Sequence, residues 1–210
     1  ELYVLRLRST FREVMFGAPG GDGPVLDHFN KQAVLSYLNR MSERINLVFG
    51  EHLGSGIRSL FCDSIELSGA NWTSDFATQF HNRRGYDVLP FLPFLLNEEA
   101  RSGAAFADSL KRVRFDYSET LAELFMERFI IPFHEWCHEN GVQSRYQAYG
   151  FPWLYTDLLN GYLVPDIPES DQWLYNAGWI HHAEIDQIRY ATWNKYASSA
   201  AHLNGRKIVS

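Results

Sequence analysis

What most limits the fold of this 210-residue chain is the alternation of short apolar runs with long amphipathic ones. Residues 57–63 read as a brief, mostly apolar strand entered after Gly54 and Gly56, and residues 142–149 alternate as a second. Between them the segment from Asn71 to Asp75 caps a helix running to about Arg84. A longer helix spans about 106–139, with Pro132 expected to bend it. Helices interposed between strands predict a parallel sheet, and so an α/β fold.

The rest of the pattern agrees. Asn30 caps a helix through about Val48, with Ala33, Val34, Tyr37, Leu38, Met41 and Ile45 on one stripe. A Pro-bounded segment covers 88–96, Gly141 stops the long helix, and Gly205 stops another over 186–203. Residues 2–8 and 207–210 read as further strands. The turn-rich loop from Gly17 to Pro24 lacks the Lys-Ser/Thr of a phosphate cradle. Too few strands are present to close an eight-fold barrel, but they suit a partial (β/α)8 barrel of the TIM type, in which catalytic groups sit where strands end. Residues 1–210 are then expected to be the central part of one barrel domain, truncated at both ends, in which missing targeting signals carry no information.

Net charge is −6, and the densest basic stretch, Lys111 to Arg114, lies among acids on a helical face. Nucleic acid is therefore not an expected partner. No apolar run is long enough to span a membrane. Aromatic residues make up 15% of the chain, a supply that suits a ring-rich core or flat platforms for sugars. Cys62 and Cys137 are too few to dictate a disulfide framework.

Two acidic loops carry the candidate chemistry. Asp63-Ser64-Ile65-Glu66 places two carboxylates where the first strand ends. A glycosidase needs one carboxyl group to protonate the leaving oxygen and another to attack or to activate water. Phe61, Ile65 and Trp72 are apolar neighbours of the kind that favour the protonated form. Asp166-Ile167-Pro168-Glu169 is the second loop, stiffened by Pro165 and Pro168. Arg145, Gln147 and Tyr149 alternate on one strand and suit hydroxyl recognition or an ion-paired wall. Trp72 and Trp153 are candidates for ring stacking.

His134-Glu135-Trp136-Cys137-His138 matches the H-E-x-x-H pattern of zinc peptidases, which needs two imidazoles one turn apart, a Glu base and a third ligand. Position 144, where the extended motif places that ligand, is Ser144, and Gly141 has a simpler role as a helix stop. Asn71-Trp72-Thr73 fits a glycosylation sequon but reads as a helix cap, and His181-His182 reads as a surface pair.

Several stretches together resemble glycoside hydrolase family 106, the α-L-rhamnosidases. In chain order they are Ala18 to Gly23 leading to Leu26-Asp27-His28-Phe29; Asp63 to Glu66 with Asn71-Trp72-Thr73; and Arg83 to Asp87 with Leu92-Pro93. Then come Arg112 to Tyr117, Gln143 to Gly150, Asp166 to Glu169 and Ser198 to His202. The resemblance implies an eight-stranded β/α barrel and inverting hydrolysis of terminal α-L-rhamnosyl units in oligo- or polysaccharides, helped by a calcium ion that contacts the sugar. It implies Glu66 as general acid and Glu169 as a second active-site carboxylate, as base or near the metal. Asp63, Asn71, Trp72, Arg145, Gln147, Trp153 and Asp166 become expected substrate-binding residues, and Asp171 stands near the place of another family acid. A third family glutamate would follow Ser210, so the segment by itself is expected to be inactive. The full-length enzyme is expected to be periplasmic or secreted. A zinc peptidase and a non-catalytic sugar-binding module are the rival expectations.

Overall fold

The computed structural model describes residues 4–6, 13–14, 19–50, 52–67, 69–96, 104–149, 157–170 and 194–210. Trp153, Asp171, the pair His181-His182 and most of the expected first strand lie outside them.

Three short strands form one parallel sheet in the order β1 (Ser59–Cys62), β2 (Gln143–Tyr146), β3 (Ile167–Pro168). Leu60 pairs with Ser144, and Arg145 with both Phe61 and Ile167. The parallel, helix-separated arrangement is as expected; three strands do not by themselves make a barrel. Residues 207–210 do not form a named strand. Yet Ser210 continues the sheet past β3: its N–H donates to the Pro168 carbonyl at 3.0 Å, and its carbonyl accepts from Ser170 N–H at 2.9 Å.

Helix α1 (Lys31–Phe49) begins where the Asn30 side chain accepts from the N–H groups of Gln32 and Ala33. It buries Val34, Leu38 and Ser42, while Tyr37 of the expected stripe stays 58% exposed. A four-residue turn, α2 (Leu53–Gly56), leads into β1. Helix α3 (Phe76–Arg84) follows, then α4 (Leu92–Leu95) within the Pro-bounded segment.

The expected single long helix is instead broken. α5 (Ala104–Phe125) passes into a π turn over Met126–Ile130 before α6 (Ile131–Glu139). Pro132 has no N–H to offer the carbonyl four residues back, and its ring crowds that carbonyl, so the preceding turn widens. α6 ends at Gly141, whose φ of 71° is left-handed. α7 (Leu158–Leu163) and a helix over 194–203, here α8, complete the described part.

Helix α6 packs against β2, α1 packs on α6 and the π turn, and α3 packs on α5, around an aromatic-rich core that includes Phe29, Phe76, Phe80, Phe125, Phe129 and Trp136. The Trp136 indole donates to Asn39 at 2.7 Å, tying α6 to α1. Cys62 and Cys137 are free thiols, and burial pushes the Cys137 thiol up to about 12. Both serve as core residues rather than nucleophiles.

Candidate active site

Strand pleating divides the side chains of β2. Ser144 and Tyr146 are buried on the side of α6, whereas Arg145 lies on the opposite face, which no described helix covers. There its guanidinium sits 4.9 Å above the Phe61 ring centroid and forms a two-pronged ion pair with Glu169, one prong at 2.8 Å and a second from Nε. Phe61 is 47% exposed on this face, unusual for a strand phenylalanine until the stacked cation is considered.

Because the strands are parallel, the loops after all three leave at one rim. Glu66 follows β1, Gln147 and Tyr149 follow β2, and Glu169 follows β3 directly. Backbone bonds hold these loops together: Gln147 N–H donates to Cys62 O at 3.1 Å, Ile65 N–H to Tyr149 O at 3.1 Å, and Glu169 N–H to Tyr146 O at 3.2 Å. The chain turns sharply at Ala148, where Tyr149 N–H reaches back to Gln147 O at 2.8 Å. Tyr149 thus leaves the strand line expected for it, and its hydroxyl reaches Glu66.

Glu66 is half-buried. Its Oε1 accepts from the Ser64 hydroxyl at 2.8 Å and the Tyr149 hydroxyl at 3.1 Å. Among the described residues Oε2 accepts no hydrogen bond, which leaves it the oxygen able to exchange a proton with a ligand. Ser64 Oγ also lies 3.4 Å from Asp63, so the hydroxyl sits between the two acids of the motif with its one proton directed to the nearer, Glu66. Asp63 itself is exposed and accepts from Ser64 N–H at 2.7 Å.

Glu169 is only 7% exposed, and a cavity of about 430 Å³ opens beside it, lined by Ser170, Asn194, Lys195, Ser198, Val209 and Ser210. Gln147 is equally buried, and its Oε1 has no hydrogen-bond partner among the described residues. A buried acceptor left without a donor costs about 1–3 kcal/mol, which a bound hydroxyl would recover.

Other expected residues lie elsewhere. Trp72 packs its ring 4.8 Å from that of Phe76 at the margin of the core. Asn71 is exposed, and its backbone carbonyl accepts from the Tyr117 hydroxyl. In the same sequon Thr73 is buried and donates to Asp27 at 2.9 Å. Asp75 precedes α3 without capping it, because its carboxylate is drawn to Arg128 at 2.7 and 2.8 Å.

Asp166 departs furthest from expectation. It precedes β3 and therefore lies at the opposite rim, on the helix-covered side, away from Glu66 and Glu169. Its Oδ2 accepts from Ser144 N–H at 3.0 Å and meets His138 Nε2 at 2.8 Å; Arg206 approaches Oδ1 at 3.4 Å. The two histidines of the H-E-x-x-H stretch do come together, with ring centroids 4.3 Å apart. Sequence spacing pointed to position 144 for their third partner; Ser144 instead bonds His134 at 2.7 Å, and the carboxylate comes from Asp166, 22 residues further on. Glu135 is exposed.

The chain belongs to glycoside hydrolase family 106, alpha-L-rhamnosidase, which it matches over residues 8–210. A putative beta-glucuronidase of Formosa agariphila is 28% identical over 190 residues, or 90% of this chain and 15% of that protein. The solved structure of a rhamnosidase from Novosphingobium sp. PP1Y superposes with a TM-score of 0.72 at 26% identity, across 94% of this chain and 18% of that one. The chain therefore spans less than a fifth of either relative. Among the described residues no helix is long and apolar enough to cross a membrane.

Proposed function

We propose that the whole protein removes terminal α-L-rhamnosyl units from oligo- or polysaccharides with inversion, on a (β/α) barrel of which this chain supplies the middle. Glu66 acts as the general acid, protonating the departing glycosidic oxygen through Oε2 while Ser64 and Tyr149 hold Oε1. A carboxylate across the sugar activates water, and Glu169 is the candidate within this chain, held in place by Arg145. Inversion needs the two carboxyl groups about 6.5–9.5 Å apart. Gln147 and Asp63 accept from sugar hydroxyls. The observation that carries this reading is the position of Glu66 and Glu169 at the same rim, on either side of the end of β2.

Calcium takes six to eight oxygen ligands. Among the described residues no three carboxylates converge at this rim, so these residues alone do not fit a calcium site. In the whole protein a calcium requirement remains part of the proposal, read by activity with and without a chelator.

The test is release of an aryl group from an aryl α-L-rhamnoside by the whole protein, with an aryl β-D-glucuronide in parallel. Glu66→Gln is expected to lower kcat by about 10²–10⁴-fold with the fold unchanged. Activity within a few-fold of wild type would remove Glu66 as the acid. Faster turnover of the glucuronide would replace the substrate class. Undiminished rhamnoside affinity with no turnover by the wild type would favour a binding module.

A further inference from the structure

We infer that His134, His138 and Asp166 form a binding site for a divalent transition metal ion of the zinc type, at the rim opposite the proposed catalytic carboxylates. One donor atom from each lies within 4.8 Å of the other two. His138 Nε2 is 2.8 Å and His134 Nδ1 is 3.8 Å from Asp166 Oδ2. Tetrahedral zinc, with ligands at about 2.0–2.2 Å, asks for donors about 3.4 Å apart. Both separations lie within about an ångström of that value, so side-chain adjustments on α6 are enough.

The trio is assembled from two elements and braced by a third. His134 and His138 are one helical turn apart on α6, which aims both rings the same way. Asp166 is brought to them by β3, and Ser144 on β2 braces it: the Ser144 N–H and hydroxyl meet Oδ2 at 3.0 and 3.2 Å, and Asp166 N–H donates to the Ser144 hydroxyl at 3.1 Å. Arg206 occupies the other carboxylate oxygen, which orients Oδ2 as the single ligand atom. Asp166 and His134 are largely buried, at 10% and 22% side-chain exposure, while His138 is 54% exposed. The site is thus open on one side, where an ion can enter and water can complete its shell.

Donor chemistry sets the class of ion. Two imidazoles and one carboxylate suit zinc, nickel or cobalt, whereas calcium and magnesium prefer oxygen ligands alone. In the metal-free protein His138 Nε2 carries the proton it donates to Asp166. On binding, that proton moves to Nδ1 or to solvent and the metal takes the freed Nε2 lone pair, replacing the His138–Asp166 hydrogen bond, while His134 exchanges its Ser144 hydrogen bond for the ion. The ion would fasten α6 to the β2–β3 edge. The site is independent of the proposed sugar chemistry, and peptidase activity is not implied.

The experiment uses the whole protein, stripped with chelator and dialysed against zinc, with bound metal counted by elemental analysis. Wild type is expected to hold one more equivalent of zinc than His138→Gln at free zinc below about 10 μM. Affinity at that equivalent should weaken about 100-fold in the variant and in His134→Ala. A hundredfold excess of calcium should not displace it, and cobalt should give the absorption of a nitrogen-ligated, low-coordinate ion. Equal zinc content in wild type and both variants overturns the site, as does displacement by calcium. His138→Gln keeps a donor toward Asp166 on a half-exposed position, so circular dichroism is expected to match wild type.

Discussion

The Tyr149 hydroxyl donates to Glu66 Oε1 at 3.1 Å, a side-chain link between the loop after β1 and the loop after β2. The same two loops share the Ile65–Tyr149 backbone bond, so Tyr149 holds the backbone of the residue before the candidate acid as well as the acid's carboxyl group.

Removing that donor is the mildest way to disturb Glu66. Tyr149→Phe should lower kcat of the whole protein about 3–10-fold with little change in KM, in keeping with about 1 kcal/mol for one hydrogen bond. An unchanged kcat would mean that Ser64 alone positions the group.

Arg145 and Glu169 should behave as a pair rather than as two independent residues. Arg145→Met leaves a carboxylate that is 7% exposed without its partner, and is expected to destabilise the fold by about 1–3 kcal/mol. Arg145→Lys recovers only part, because it loses the two-pronged contact and the stacking on Phe61. The double variant Arg145→Met with Glu169→Gln should be more stable than Arg145→Met alone, measured as a double-mutant cycle in denaturant. Additive losses would show that the ion pair contributes nothing to the sheet face.

His28 makes stability depend on pH. Burial beside Phe129 lowers its pKa to about 4, partly opposed by its hydrogen bond to the Leu26 carbonyl and by the Asp27 charge. The unfolded chain binds a proton near pH 6.5 that the folded chain refuses until about pH 4. Stability is therefore complete above pH 6.5 and falls as pH drops through that window, by about 3 kcal/mol in total. His28→Leu should flatten the slope by one proton, read from unfolding midpoints between pH 4 and 7. A slope unchanged in the variant would assign the acid sensitivity to other groups.

Gly54 faces the end of α6 so closely that a Cβ there would lie 2.7 Å from the Gly141 carbonyl oxygen and 2.9 Å from that of Asn140. Both obstacles are backbone, so Gly54→Ala should cost about 1–3 kcal/mol in stability. Gly56→Ala, which would meet only the Phe49 side chain at 4.0 Å, should be close to neutral. Equal thermal midpoints for the two variants would show that the α2–α6 contact yields without cost.

Where information is local, the chain could be read directly. The Asn30 cap and the Gly85, Gly141 and Gly205 helix stops depend on residues within a few positions of one another, and the structure has them all; the alternation expected over 142–149 holds only as far as Tyr146. The Asp63–Glu66 motif is similarly short, so its acids could be picked out by eye and placed after a strand. Asp75 is where local reading fell short: its oxygens had a cap to make, and a guanidinium 53 residues away offered a stronger bond.

The rim on which an acid stands was decided by tertiary structure alone. Asp166 and Glu169 are three residues apart in one acidic loop, yet two residues of strand run between them. Because parallel strands send their two ends to opposite rims, one acid is delivered to the histidines of α6 and the other to Arg145. Composition and spacing name the carboxylates; only the pairing of β2 with β3 determines which of them share a cleft, since a side chain acts on what lies within a few ångströms of it and not on what lies near it in the chain.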